Sequence, residues 1–376
     1  MLTEKTLHII SFTIPFPANY GGVIDVFHKI RKLNEAGINI ILHAFEYDRP
    51  QNIELNKYCQ KVFYYKRNTG LSANLSFLPY IVLSRKSDEL LNNLLKDNFP
   101  ILFEGLHSCY FLNHPKLKNR FKIYRESNIE HIYYRELMKA EKSIFKKAYF
   151  YVESIKLEWF EKKLNSANLM LIVSESETRY FKAKFQNVQV EYLPSFHEND
   201  ILNCQIGKGD YILYHGNLSV SENEFAVEYL LNKVFKNLKI PIVIAGLNPS
   251  KSLVQKISKN HSASLISNCN EKEMSNLIEN AQVNILWTFQ NTGLKLKLLN
   301  TLFKGRFCLV NSLMTEGTPL QSVCHIAHSP ENAIQEIEKL MLQDFSQTDI
   351  ENRKTALQQF DNVLNTQKFI ELVFKA

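Results

Sequence analysis

A short apolar run, Leu7-His-Ile-Ile-Ser-Phe-Thr13, is followed by Val23, Ile24, Val26, Phe27, Ile30 and Leu33 at helical spacing. Past Gly37 a second run begins, Ile38-Asn-Ile-Ile-Leu-His43. A pattern that goes from continuous to 3.6-periodic and back spells a βαβ unit, because parallel strands are buried on both faces and need a helical crossover. The same cycle predicts strands at Lys61 to Tyr65, Pro100 to Glu104, Phe121 to Tyr124, Asn168 to Val173 and Val188 to Tyr192. It lapses over Pro194 to Asp210, a polar stretch holding Pro194, Gly207 and Gly209 that reads as a linker. It then restarts, with strands expected at Tyr211 to Tyr214, Ile240 to Ala245, Ala263 to Ile266, Gln282 to Trp287, Phe307 to Val310 and Val323 to Ala327. Helices are expected near Glu222 to Phe235, Glu271 to Asn280, Gly293 to Lys304 and Asn332 to Leu342. The reading is α/β: two doubly wound, Rossmann-like parallel-sheet domains facing a cleft, at residues 1–197 and 207–350. A helical tail, 351–376, either finishes the second domain or crosses back to the first.

Composition narrows the class. With 376 residues, 45% of them apolar, the chain can fill more than one core, which excludes a disordered or fibrous protein. A net charge of +7 suits an anionic ligand or a membrane surface but is too dispersed to indicate nucleic acid. Six cysteines without a C-x-x-C pair fit reduced thiols rather than disulfides or zinc. The stretch Leu7 to Phe16 is broken by Pro15 and follows Glu4, so it reads as a strand and not a signal peptide. No apolar run approaches a membrane span. The expected compartment is the cytoplasm, with any membrane contact peripheral and at the inner face.

Only 12 glycines are present, so their positions carry information. Gly21 and Gly22 precede the first helix in Thr13-Ile-Pro-Phe-Pro-Ala-Asn-Tyr-Gly-Gly-Val-Ile-Asp25, where free N–H groups and the positive helix end favour a phosphate. A turn that merely needs glycine is the alternative. Arg125-Glu-Ser-Asn-Ile-Glu-His-Ile-Tyr-Tyr-Arg135 follows a strand and is dense in polar side chains, the kind of loop that hosts function. Its plainer reading is a helix start with Asn128 as N-cap and Tyr133 and Tyr134 packing inside. Lys139 to Lys163 mixes lysines with Phe145, Tyr149, Phe150, Tyr151, Trp159 and Phe160, either a helix with a solvated basic face or one that meets anionic lipid.

In the second half, Tyr214-His-Gly-Asn-Leu-Ser-Val-Ser-Glu-Asn223 and Ile244-Ala-Gly-Leu-Asn-Pro-Ser250 each end a strand and open a helix. Thr292-Gly-Leu-Lys-Leu-Lys-Leu-Leu-Asn-Thr-Leu-Phe-Lys-Gly-Arg306 sets Lys295 and Lys297 at a helix start. Lysine there opposes the macrodipole, so a diphosphate explains it better than helix stability, with two solvated lysines as the alternative.

Taken in order, Asn-Tyr-Gly-Gly, Asn-Ile-Glu-His-x-Tyr-Tyr, His-Gly-Asn-Leu, Ala-Gly-x-x-Pro-Ser and Gly-Leu-Lys-Leu-Lys-Leu-Leu-Asn resemble a bacterial retaining glycosyltransferase of family 4, glycosyltransferase group 1 type, with the GT-B fold. The resemblance implies a hexosyltransferase of polysaccharide biosynthesis. A nucleotide-diphosphate sugar would be held by the C-terminal domain and a glycan or lipid-linked acceptor by the N-terminal one, with neither cofactor nor metal. It assigns Lys295, Arg125 and His131 to catalysis. Gly22, His215, Asn217, Asn223, Gly246, Thr292, Gly293, Lys297 and Asn300 would serve the donor, and Tyr20, Gly21, Asn128 and Tyr134 the acceptor. The chain departs from the family at Asn217 and Asn223, where a basic pair is usual, and at Thr292 and Asn300, where glutamates are usual. Ser127 stands where histidine is common. Two other readings stay open: a nucleotide-sugar-binding relative with weak or no turnover, and a nucleotide-sugar epimerase, for which no acid/base carboxylate pair is evident.

Overall fold

The computed structural model describes residues 5–70, 76–289 and 295–374. They form two compact units, one of residues up to Phe196 together with Asn362 onward, the other of His197 to Asp361.

The first unit is built on seven parallel strands: β1 (Thr6–Ser11), β2 (Asn39–Glu46), β3 (Lys61–Lys66), β4 (Ile101–Glu104), β5 (Lys122–Arg125), β6 (Leu169–Ile172) and β7 (Gln189–Tyr192). Their order is β3-β2-β1-β4-β5-β6-β7, with Ile9 between Leu42 and Leu102. The second unit has six: β8 (Ile212–Asn217), β9 (Ile242–Leu247), β10 (Ala263–Ser267), β11 (Val283–Leu286), β12 (Phe307–Asn311) and β13 (His325–Ala327). Their order is β10-β9-β8-β11-β12-β13, again all parallel. Each sheet grows in one direction and then resumes on the other side of its first strand, so the switch points lie between β1 and β4 and between β8 and β11.

Strands β1, β4, β5, β6, β11 and β12 are buried along their whole length, their polar members His8, Glu104, Arg125 and Asn284 included. At an edge, β10 carries Ser264 and Ser267 and is largely exposed. The C-terminal tail divides. Helix Gln347–Leu357 stays with the second unit through Arg353, whose buried guanidinium lies 4.6 Å from the Phe345 ring and donates to the Gly305 and Arg306 carbonyls. Helix Asn362–Phe374 instead buries Phe369 and Val373 among Leu7, Ile9, Val26 and Ile30 of the first unit.

One buried histidine network in the first unit makes stability depend on pH. His8 Nδ1 lies 2.8 Å from His43 Nε2, His43 Nδ1 lies 2.8 Å from the Tyr65 hydroxyl, and His8 Nε2 meets Asp97 at 2.9 Å. Burial holds both imidazoles below their usual 6.5, His43 well below. These groups are neutral when folded and protonate on unfolding, so the unfolded chain binds more protons in acid and stability falls as pH drops below 6.5. His43 should contribute a loss approaching ~1.4 kcal/mol per pH unit. Urea titrations at pH 7 and pH 5.5 should show that loss, and His43→Gln should flatten it. An equal slope in the variant removes His43 as its source.

Candidate functional site

Helix starts distinguish the carboxyl ends of the central strands. Helices Asp88–Leu94, Glu175–Lys184, Lys251–Ile257, Glu271–Asn280, Pro330–Leu342 and Gln347–Leu357 are all capped by a Ser or Asn side chain. Helices Gly21–Glu35, Glu130–Ala140, Ser221–Lys233 and Leu296–Lys304 have no side-chain cap, and they follow β1, β5, β8 and β11. Three of these strands flank a switch point. The first-turn N–H groups of those helices lack the usual acceptor, the condition under which a helix end receives an anion. Three further helices lack a side-chain cap: Ile144–Glu161 and the single turn Tyr80–Leu83 follow no strand directly, and the single turn Ser312–Thr315 follows β12.

In the second unit the β8 and β11 ends converge on Lys297. Its ammonium donates to Asn223 Oδ1 at 2.9 Å and lies 5.6 Å from the Tyr214 ring centroid. Asn223 in turn donates to the Asn217 carbonyl at 2.9 Å, and the Asn217 side chain accepts from the Ser219 N–H and hydroxyl. Burial draws the Lys297 pKa down to about 8, opposed by Glu222 and deepened by Lys295. Glu222 accepts a hydrogen bond from the Thr288 hydroxyl just beyond β11. Asn300, one turn along from Lys297, keeps a buried Oδ1 with no hydrogen bond among the described residues. A Cβ on Gly246 would stand 1.9 Å from the Gly216 carbonyl oxygen, so glycine is required there by the neighbouring strand. Lys295 is the N-cap, and the helix starts at Leu296, later than the expected Gly293. Thr292 and Gly293 lie outside the described residues.

In the first unit, Phe12, Gly22, Gly105, His107, Ser127 and Glu130 gather at the ends of β1, β4 and β5. A Cβ on Gly22 would come within 2.8 Å of Phe12 Cζ. Gly105 has φ +66°, and its missing Cβ would lie 3.2 Å from His107 Nδ1 and 3.3 Å from Ser127 Oγ. His107 Nδ1 and Glu130 Oε1 are 3.7 Å apart, and neither atom makes a hydrogen bond among the described residues. Burial pushes the Glu130 carboxyl up to about 8, against the pull of Arg85, and holds His107 well below 6.5. Both are uncharged at neutrality. Arg85 donates to the Phe12 and Ile81 carbonyls, and burial followed by Arg67 lowers its pKa to about 9.

Several expected roles need correction. Arg125, expected to face a ligand, is buried and fully engaged: it donates to Asp25 and to the carbonyls of Leu193 and Pro194. His131, expected in catalysis, is buried with Nδ1 2.8 Å from Glu161, and so pins helix Glu130–Ala140 to helix Ile144–Glu161. Tyr134, expected at the acceptor, packs edge-on against Phe150 between the same helices. His215, expected at the donor, is buried; burial and then Lys297 lower it to about 3, and Nε2 lies 2.8 Å from Thr301 Oγ1, tying β8 to helix Leu296–Lys304. Asn128 does not cap, since the N-cap is Ile129. Tyr20 is the N-cap of the first helix, 5.5 Å from the Arg49 guanidinium, and Gly21 has open space around its missing Cβ. Glu130, His107, Glu222 and Thr288 were not singled out by the sequence. Gly105 directly after β4, in a chain this poor in glycine, was the available signal. A cavity of about 410 Å³ lined by Lys236, Lys256, Lys259 and His261 opens at the amino ends of β9 and β10, at the opposite end of the second sheet from Lys297.

No known family profile matches the chain. It is 26% identical over 332 residues, 82% of this chain and 84% of the other, to an uncharacterized 44.6 kDa protein in the cps region of Klebsiella pneumoniae. Among solved structures it is similar to sucrose-phosphate synthase from Thermosynechococcus elongatus, with TM-score 0.72, 14% identity and 98% of each chain covered. S. aureus TarM, solved with UDP and alpha-GlcNAc-glycerol, gives TM-score 0.69 at 10% identity over 98% of this chain and 100% of that one. Anabaena HepE, solved with UDP and glucose, gives 0.65 at 10% identity over 99% and 100%. The fold is GT-B, with two Rossmann-like parallel sheets.

Proposed function

We propose that this protein is a retaining glycosyltransferase of the family 4 type, moving a hexosyl group from a nucleotide-diphosphate sugar to a hydroxyl of a glycan or lipid-linked saccharide in polysaccharide biosynthesis. The observation that carries the reading is Lys297 on the uncapped start of helix Leu296–Lys304, at the β8/β11 switch point, where a diphosphate would meet an ammonium and free N–H groups. Loss of a nucleoside diphosphate leaves negative charge on the departing oxygen, and fixed donors aimed there lower the barrier. The UDP in the TarM and HepE structures supports this ligand class. Asn217, Asn223 and Asn300 supply neutral donors and acceptors for hydroxyls in place of the usual charged partners.

The acceptor hydroxyl is assigned to the gap between Glu130 and His107 in the first unit. A carboxyl whose pKa burial raises to about 8 is largely protonated at neutrality and can donate a hydrogen bond to that hydroxyl. Among the described residues no group of three or more His, Cys, Asp or Glu side chains could hold a metal. Calorimetry should give UDP binding with the same affinity in EDTA as in magnesium, and sugar-nucleotide turnover should rise when glycan acceptors are added. A site that binds no nucleoside diphosphate in either buffer ends the proposal.

A further inference from the structure

Helix Ile144–Glu161 is apolar on two sides. Its inner side buries Glu153, Ser154, Leu157, Phe160 and Glu161. At 100° per residue, Phe145, Ala148, Val152, Ile155 and Trp159 fall on one stripe of the opposite side, and all five are exposed, Phe145 by 89% and Trp159 by 54%. The helix is about 27 Å long, so the stripe covers much more apolar surface than the scattered exposed leucines normal for a soluble protein.

Charge decides what covers it. Lys142, Lys146 and Lys147 lie at one end of the helix, Lys146 3.9 Å from Glu141, and Lys162 and Lys163 lie at the other. Of the acidic residues in the helix, Glu153 and Glu161 are buried and Glu158, at the border of the stripe, is paired with Arg135. The Lys163 ammonium lies 4.8 Å from the centroid of the Phe160 ring. A second copy of the chain is the wrong occupant, because a two-fold contact through this stripe sets the lysine clusters of one helix near those of the other.

We propose that this face docks the protein on an anionic lipid bilayer, the apolar stripe entering the acyl boundary and the lysines meeting lipid phosphates. No helix among the described residues is long and apolar enough to cross a membrane, so the contact is interfacial.

The chain reports on itself, since of its two tryptophans Trp159 is exposed and Trp287 buried. Full-length protein mixed with phosphatidylcholine vesicles containing about 30 mol% phosphatidylglycerol should co-sediment and shift its tryptophan emission to the blue, while phosphatidylcholine alone should bind weakly. Phe145→Ser with Val152→Ser should weaken partitioning at least tenfold without lowering Tm, because both side chains are exposed. Lys146→Glu with Lys147→Glu should abolish the preference for anionic vesicles. Absence of a blue shift with anionic vesicles, unchanged partitioning in both double variants, or a dimer in solution that the Phe145/Val152 variant dissociates would each overturn the proposal. The vesicle assay contains no nucleotide, so its result is independent of the glycosyltransferase reading.

Discussion

Asp25→Asn should destabilise the protein by about 3–5 kcal/mol, the usual cost of leaving buried charges without their partner. Asp25 accepts from Lys29 Nζ at 3.0 Å, from Arg125 Nε at 3.1 Å and Nη2 at 3.2 Å, and from the Phe196 N–H at 2.7 Å. Burial alone would raise its pKa, but Arg125 and then Lys29 reverse the shift and hold it at about 2. Glu104 is the second carboxylate of the group, 2.7 Å from Lys29, and its pKa is raised by burial and by Asp25. With asparagine at 25, Lys29 and Arg125 share Glu104 alone in a site that excludes water. The first helix, β4, β5 and the segment ending at Phe196 then lose their common anchor. Glu35→Gln is the control, since Glu35 is itself half exposed where it meets Lys32 and Arg31, and pairs open to water contribute under ~1 kcal/mol. Urea unfolding of both variants at pH 7 decides it: a loss below ~1 kcal/mol for Asp25→Asn would show that the cluster is not the anchor.

That cluster also shows where the sequence stopped being legible. The thirteen strands could be read because short apolar clusters alternate with stretches of helical spacing, although only six of the strands are buried along their whole length. Side-chain partnerships could not. Arg125 at the end of β5 has the charge and position of a ligand contact, yet its partner Asp25 is a hundred residues away, and nothing in either segment announces the pair. The Asn-Ile-Glu-His segment drew attention to His131, whereas adjacent helix positions diverge by 100°, so Glu130 turns toward His107 and His131 turns back to Glu161. Which of two neighbours faces a ligand depends on the helix's rotation against the sheet, a tertiary property. Lys297 was singled out by its position and not by its partner: a cation at a helix start is locally unfavourable and needs an external reason.

Lys297→Ala should weaken UDP binding roughly 10- to 100-fold, the loss of a charge-assisted hydrogen bond of about 1.5–3 kcal/mol. Lys304→Ala, at the far end of the same helix and paired with Glu198 at 3.0 Å, should leave affinity unchanged. A pH series separates a diphosphate contact from a packing effect. With its pKa lowered to about 8, Lys297 loses its charge in the free protein as pH rises past 8, whereas a bound diphosphate favours the charged form. Wild-type affinity should therefore decline between pH 8 and pH 9.5. Lys297→Arg keeps its charge through that range and should show no such decline, even if its longer fork fits the Asn223 contact less well. Calorimetry with UDP across the series reads both effects. A Lys297→Ala variant that binds UDP as wild type does, or an arginine variant with the same decline, would move the diphosphate away from this helix.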